Sequence, residues 1–315
     1  MKQLSYEEIK ALIVGASEIV PVEDGLAPAK CSSRQLEAFR AAAPWIVDNV
    51  KATTGVRLDF VTDSPTLAFG TAAGDKFELL VDGVLAKQFL GADARSFEIK
   101  GLEGEHRITL AFPSHMTPGV LSSVSVEDGA RVSRPRYEKK LLFLGDSITQ
   151  GWNARYDSQS FAYIVSRHLG AESLIQGVGG ACFWPDTVPF REEVGFDPDA
   201  VVVAYGTNDW SLIPSFETFT ENLAGVLLNV KTRFPASKLF VVTPIWRGDE
   251  DGSRPMGPWD RCCGAVLDAA KSMFLCVVDG YSLVPHDMFF MADALHPNDL
   301  GFAHYALGLI KEMEK

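Results

Sequence analysis

With 315 residues the chain can hold two domains or one large domain with insertions. Its 47% hydrophobic and 22% charged residues are those of an ordinary globular protein, which excludes a disordered or fibrous one. A formal net charge of -12 argues against binding nucleic acid or an anionic membrane, which needs clustered Lys and Arg.

The first 25 residues carry acids within their first ten positions and no uninterrupted apolar run before a small-residue cleavage site, so they read as no signal peptide. No stretch approaches the roughly 18 uncharged apolar residues of a membrane span. Cys31, Cys182, Cys262, Cys263 and Cys276 show no metal-ligand spacing. Their odd number fits reduced thiols and predicts a cytoplasmic setting.

From Ile19 to Val132 short alternating runs recur: Val56, Leu58 and Phe60; Phe77, Leu79 and Val81; Ile108, Leu110 and Phe112. Period two predicts half-buried strands. Turn signals at Asp82-Gly83, Gly101 to Gly104 and Asp128-Gly129 separate them at sandwich-like intervals. A jelly-roll-like β-sandwich is expected over residues 1–135. Around Pro135 the polar run RVSRPRYEKK suits an exposed connection.

Residues 136–315 change texture. Strand-like runs at Leu141 to Leu144, Leu174 to Ile175, Ala200 to Tyr205, Leu239 to Thr243 and Phe274 to Val278 alternate with longer helical ones. Those fall near Ser160 to Leu169, Phe216 to Phe234, Trp259 to Met273 and Asp299 to Lys315. Strands buried on both faces and each followed by a helix predict an α/β domain with a doubly wound, flavodoxin-like parallel sheet. Ligands of such sheets sit at the carboxyl ends of the strands.

Chemistry-bearing residues fall at those ends. In LLFLGDSITQG an apolar strand runs straight into Gly145-Asp146-Ser147, so the Ser147 hydroxyl can project while its N–H stays free for an oxyanion. A serine there reads equally as the N-cap of the next helix. Near the C-terminus Asp293-Ala-Leu-His296-Pro-Asn opens the last helix. The i,i+3 spacing on one helical turn would set Asp293 and His296 on one side, the carboxylate fixing the imidazole tautomer. Gln176 to Gly180 and Gly206 to Asp209 end two further strands. The Gly180 N–H and the Asn208 amide are donors of the type an oxyanion hole needs, or else parts of ordinary turns.

In this order GDSIT at Gly145 to Thr149, the glycine block ending at Gly180, GTND at Gly206 to Asp209 and DxxHPN at Asp293 to Asn298 resemble the SGNH (GDSL) hydrolases. The resemblance covers about Lys140 to Lys315. It departs from the family at Ile175, where the glycine block usually begins with asparagine. It implies Ser147 as nucleophile, His296 as base and Asp293 as the group that orients it, with Ser147, Gly180 and Asn208 as oxyanion donors. It implies an acyl-enzyme route without metal or organic cofactor. The sandwich ahead of such a domain resembles that of two-domain carbohydrate esterases, which implies a small or carbohydrate ester as substrate. The C-terminal half shows no long apolar lid segment to shelter a fatty chain, so short acyl groups, acetyl above all, are expected.

Substrate choice is expected from the loops Trp152 to Asp157, Cys182 to Pro189 and Pro244 to Pro258, with Trp152, Trp184 and Trp246 as candidate contacts that could equally well be packing residues. An acyltransferase with the same acyl-enzyme and a sugar-binding protein with a vestigial site are the alternatives. No nucleic-acid or membrane partner is expected, and a homo-oligomer is compatible with the sequence without being required by it.

Overall fold

The alternating runs of the first part pair with one another in the computed structural model, which describes residues 1–115 and 117–315. Arg57–Thr62, His106–Ala111 and Lys76–Val81 are successive antiparallel neighbours, flanked by Val132–Ser133 and Val84–Leu90. A second antiparallel sheet runs in the order Glu18–Val22, Gly25–Ala29, Val120–Val126, Thr66–Ala73, Ser96–Lys100. Leu58, Phe60, Phe77, Leu79, Ile108 and Leu110 of the first sheet share one core with Leu26, Leu67, Phe69, Leu121 and Val124 of the second. Each alternating run therefore buries one face against the opposite sheet, as its period of two requires.

The alternation does not account for a helical interruption between these strands. Ser33–Ala42 is a helix closed by a capping box, in which Ser32 and Gln35 exchange two hydrogen bonds of 3.1 Å. With the turn Pro44–Ile46 and helix Val47–Lys51 it leaves the sandwich, and Phe39, Ala43, Ile46 and Val50 enter the core of the C-terminal sheet. Helical spacing of those apolar residues, not alternation, encodes this excursion.

The C-terminal sheet is parallel, in the order Ala171–Gly177, Lys139–Gly145, Ala200–Ala204, Lys238–Val242, Cys276–Val278. Along its strands successive side chains take opposite faces. Leu142, Leu144, Val201, Val203, Leu239 and Val241 join one buried cluster, while Leu141, Phe143, Ala200, Val202, Phe240 and Val242 join another. Helices Phe216–Arg233 and Trp259–Ser272 pack into the first cluster, and Phe161–His168 and Asp299–Met313 into the second. Continuous apolar strands result because both faces are covered.

A buried ion network joins the two halves. Asp59, fully buried, accepts from Arg107 at 3.0 and 2.7 Å, from Thr109 at 3.2 Å and from the Tyr137 hydroxyl at 2.6 Å. Arg57 lies 3.6 Å from the same carboxylate and donates to the Ala171 carbonyl at 3.1 Å. No helix among the described residues is long and apolar enough to cross a membrane.

Candidate active site

Strand Lys139–Gly145 delivers its last residue into a very tight turn. A Cβ at Gly145 would fall 2.0 Å from the Thr149 hydroxyl and 2.7 Å from the Ala204 carbonyl, so only glycine lets the strand and the next turn approach this closely. The following helix, Ser147–Gln150, is capped by Asp146, whose side chain accepts from the Ile148 N–H at 2.9 Å. Ser147 is therefore the first helical residue and not the cap, and its hydroxyl is free for another partner.

That partner is His296. Ser147 Oγ lies 2.8 Å from His296 Nε2, and His296 Nδ1 lies 2.9 Å from Asp293 Oδ2 and 3.2 Å from Oδ1. Ser147 is 5% exposed, whereas the Asp293 side chain is 47% exposed. Burial works against ionisation of Asp293. Hydrogen bonds from the His296 ring and from the backbone N–H groups of His296 and Leu295 outweigh it and hold the carboxyl below its ordinary range.

The i,i+3 pair is not on a helical turn. Asp293 and His296 belong to a loop closed by a bridge between Met291 and Pro297, in which Asp293 Oδ1 accepts from Leu295 N–H and His296 N–H, each at 2.7 Å. The last helix begins only at Asp299, capped by Asn298. Pro297 disfavours helical backbone at His296, which explains the displacement. An Asx-type turn brings the two side chains together instead.

Gly180 follows strand Ala171–Gly177 with φ +84°, a left-handed conformation that favours glycine. Neither its N–H nor that of Ser147 has an acceptor among the described residues. Asn208 is buried in the helix Thr207–Leu212 after strand Ala200–Ala204. One N–H of its amide goes to the Ala181 carbonyl at 3.1 Å, tying it to the glycine loop. Arg247, buried, donates to the Thr207 carbonyl at 3.0 Å and lies 4.8 Å from the Trp210 ring, bracing the same helix.

Of the three candidate tryptophans, Trp152 is nearest this cluster, its ring 6.4 Å from that of His296 and 5.2 Å from that of His115. Trp246 stacks on His286 at 5.6 Å, in a loop that meets the Asp293 loop where Gly248 N–H donates to the Ala294 carbonyl at 2.8 Å. Trp184, half-buried, packs edge-on against Phe39 at 6.4 Å and against the first buried cluster of the parallel sheet.

Several residues here escape sequence reasoning. Trp45 lies against Gly180, Asn49 donates to the Gly179 carbonyl at 3.0 Å, and Asn153 donates to Asp293 Oδ2 at 2.9 Å. Asn153 stands close to the Ser147 motif and could have been noticed. Trp45 and Asn49 lie in the N-terminal half with no motif to mark them. A cavity of about 420 Å³, lined by Arg57, Asp59, Arg107 and Tyr163 at the junction of the halves, shares no residue with this cluster.

A sequence profile of the GDSL-like lipase/acylhydrolase family matches residues 143–304. No curated protein matches the chain in sequence. Among solved structures, a salicylyl-acyltransferase from a tetracycline biosynthetic pathway superposes with TM-score 0.78 at 21% identity, over 96% of this chain and 93% of that one. A protein from Bacteroides ovatus described as a GDSL-like lipase gives 0.73 at 17%, over 99% and 98%. A family two carbohydrate esterase from Clostridium thermocellum, in complex with cellohexaose, gives 0.71 at 16%, over 96% and 98%. At such identities the likeness is one of fold across both halves.

Proposed function

The chain belongs to the GDSL-like lipase/acylhydrolase family, an ester-hydrolysing one, and on that premise we propose that it is a serine esterase removing short acyl groups, acetyl above all, from a sugar or similarly polar alcohol. The observation that carries this reading is the unbroken chain from Ser147 Oγ through the His296 ring to Asp293. His296 Nε2 takes the Ser147 proton as the oxygen attacks the ester carbonyl, and Asp293 holds the other ring nitrogen in its protonated form. The free N–H groups of Ser147 and Gly180 and the remaining amide N–H of Asn208 receive the oxyanion, each such donor contributing about 2.7–4 kcal/mol. His296 then protonates the leaving alcohol, and water discharges the acyl-enzyme by the same steps in reverse order.

Two features support the division of labour. We assign the sandwich to residues 1–135 and the catalytic unit to residues 136–315, and the excursion Ser33–Lys51, whose Phe39, Ile46 and Val50 join the core of the parallel sheet, reaches across. The strand order of the parallel sheet supports a doubly wound, flavodoxin-like reading, and the paired antiparallel sheets support a jelly-roll-like module. The carbohydrate esterase among the similar folds favours a sugar alcohol, and the salicylyl-acyltransferase favours a second reading in which another alcohol, in place of water, meets the acyl-enzyme. No metal or organic cofactor enters this mechanism, and we place the protein in the cytoplasm.

Nitrophenyl esters of increasing chain length, with and without acceptor sugars, test the reading. The expected result is a specificity constant highest for acetyl and a serine-directed phosphonate bound at Ser147. A constant rising steadily from acetyl to octanoyl, or labelling at another residue, would overturn it.

A further inference from the structure

Trp45 is 64% exposed, the most open of the six tryptophans: Trp152, Trp184 and Trp246 are half-buried, and Trp210 and Trp259 are buried. Its position is nevertheless fixed. It sits in the turn Pro44–Ile46, rooted by the fully buried Ile46, and two residues of the same segment grip the glycine loop. A Cβ on Gly180 would fall 2.4 Å from Trp45 Cη2, 2.7 Å from its Cζ3 and 2.9 Å from Ile46 Cγ2. Asn49 meanwhile donates to the Gly179 carbonyl at 3.0 Å. The indole edge is thus seated on the residue whose N–H is unpaired, while most of the ring surface remains in water.

We infer that Trp45 is a platform, supplied by the N-terminal half, on which the pyranose ring of the substrate's alcohol stacks beside Gly180. This rests on the serine-esterase reading above. An aromatic that merely covered Gly180 would turn its faces into the protein, since burial of aromatic surface is where packing gains its energy. A held indole with open surface offers large contact area at little entropic cost. An aryl or long acyl group is best held in a closed apolar slot. A half-solvated indole suits a ring with an apolar C–H face and a hydroxylated rim.

The test compares three esters on the wild type, Trp45→Ala and Trp45→Phe: an acetylated methyl pyranoside, glycerol triacetate, and the benzoate ester of an acyclic alcohol. For Trp45→Ala the expected result is a KM for the pyranoside raised about tenfold, the scale of a lost stacking contact. The change on glycerol triacetate should be several times smaller, and Trp45→Phe should restore most of the pyranoside preference. Equal losses on both acetates would overturn the inference, making Trp45 a support for Gly180. A loss confined to the benzoate would overturn it too, because the ring recognised would then be on the acyl side. Wild type inactive on all three esters would overturn the esterase reading and this inference with it.

Discussion

Gln150 reaches from the turn that carries Ser147 to the backbone of Gly179, accepting that N–H at 2.6 Å while its own amide donates to the Ser114 carbonyl at 2.7 Å. The same carbonyl accepts from the Thr54 hydroxyl at 3.0 Å. Buried Lys30 donates to Thr54 Oγ1 at 3.0 Å and to the Asn49 carbonyl at 2.7 Å. Asn49 returns to Gly179, so a closed ring of hydrogen bonds ties the glycine loop to both the Ser147 turn and the N-terminal half.

Replacing Gln150 with Leu breaks this ring at the point nearest Ser147. Turnover number should fall roughly tenfold to a hundredfold with KM changed much less, because a displaced donor is felt mainly in the transition state. Steady-state kinetics on a short ester measure this. An unchanged turnover number would show that the loop holds its own geometry.

Asp293→Asn should lower turnover by roughly two to four orders of magnitude, since the amide favours the wrong imidazole tautomer. Asn153→Ala removes only the 2.9 Å bond to Asp293 Oδ2 and should cost less than about tenfold. If Asp293→Asn were as mild as Asn153→Ala, His296 would be oriented by another group.

Asp209 is wholly buried. Its Oδ1 accepts from Phe183 N–H at 3.0 Å, and Oδ2 has no partner among the described residues. Burial, reinforced by the neighbouring Asp146 charge, pushes the carboxyl up to about 7. A carboxyl raised on folding binds its proton more tightly in the native state, so its stabilising effect is complete below the unfolded value near 4. It is lost as pH rises through about 7. Asp209→Asn should therefore gain stability over the wild type as pH rises from 5 to 8, by roughly 2 kcal/mol or more. Thermal midpoints across that range decide it, and parallel curves for the two proteins would count against the buried charge.

At the junction Asp59→Ala would strand Arg57 and Arg107 without their carboxylate, at a cost of about 3 kcal/mol. Burial alone would raise Asp59. Its hydrogen bonds from Arg107 and the charge of Arg57 prevail and hold it below the usual range. A depressed carboxyl stabilises above its unfolded value and loses that effect as pH falls, so the penalty should shrink in acid. Denaturant unfolding of wild type and variant at pH 7 and pH 3 reports the difference, and a penalty independent of pH would mean that lost packing dominates.

Much of this protein is written in local pattern. The period-two runs around Leu58, Leu79 and Leu110 and the doubly apolar LLFL of Leu141 to Leu144 determine strands, because backbone geometry alone sets which side chains share a face. Three short blocks at strand ends and a fourth ahead of the last helix mark Ser147, Gly180, Asn208, Asp293 and His296. The tertiary structure decided what local pattern cannot express. It placed Asp293 and His296 on a loop turn in place of a helical one, diverted Ser33–Lys51 out of the sandwich, and brought Trp45 and Asn49 to a glycine loop some 130 residues away. Hydrogen bonds and packing across such distances depend on how the two cores dock, and no periodicity in either segment carries that information.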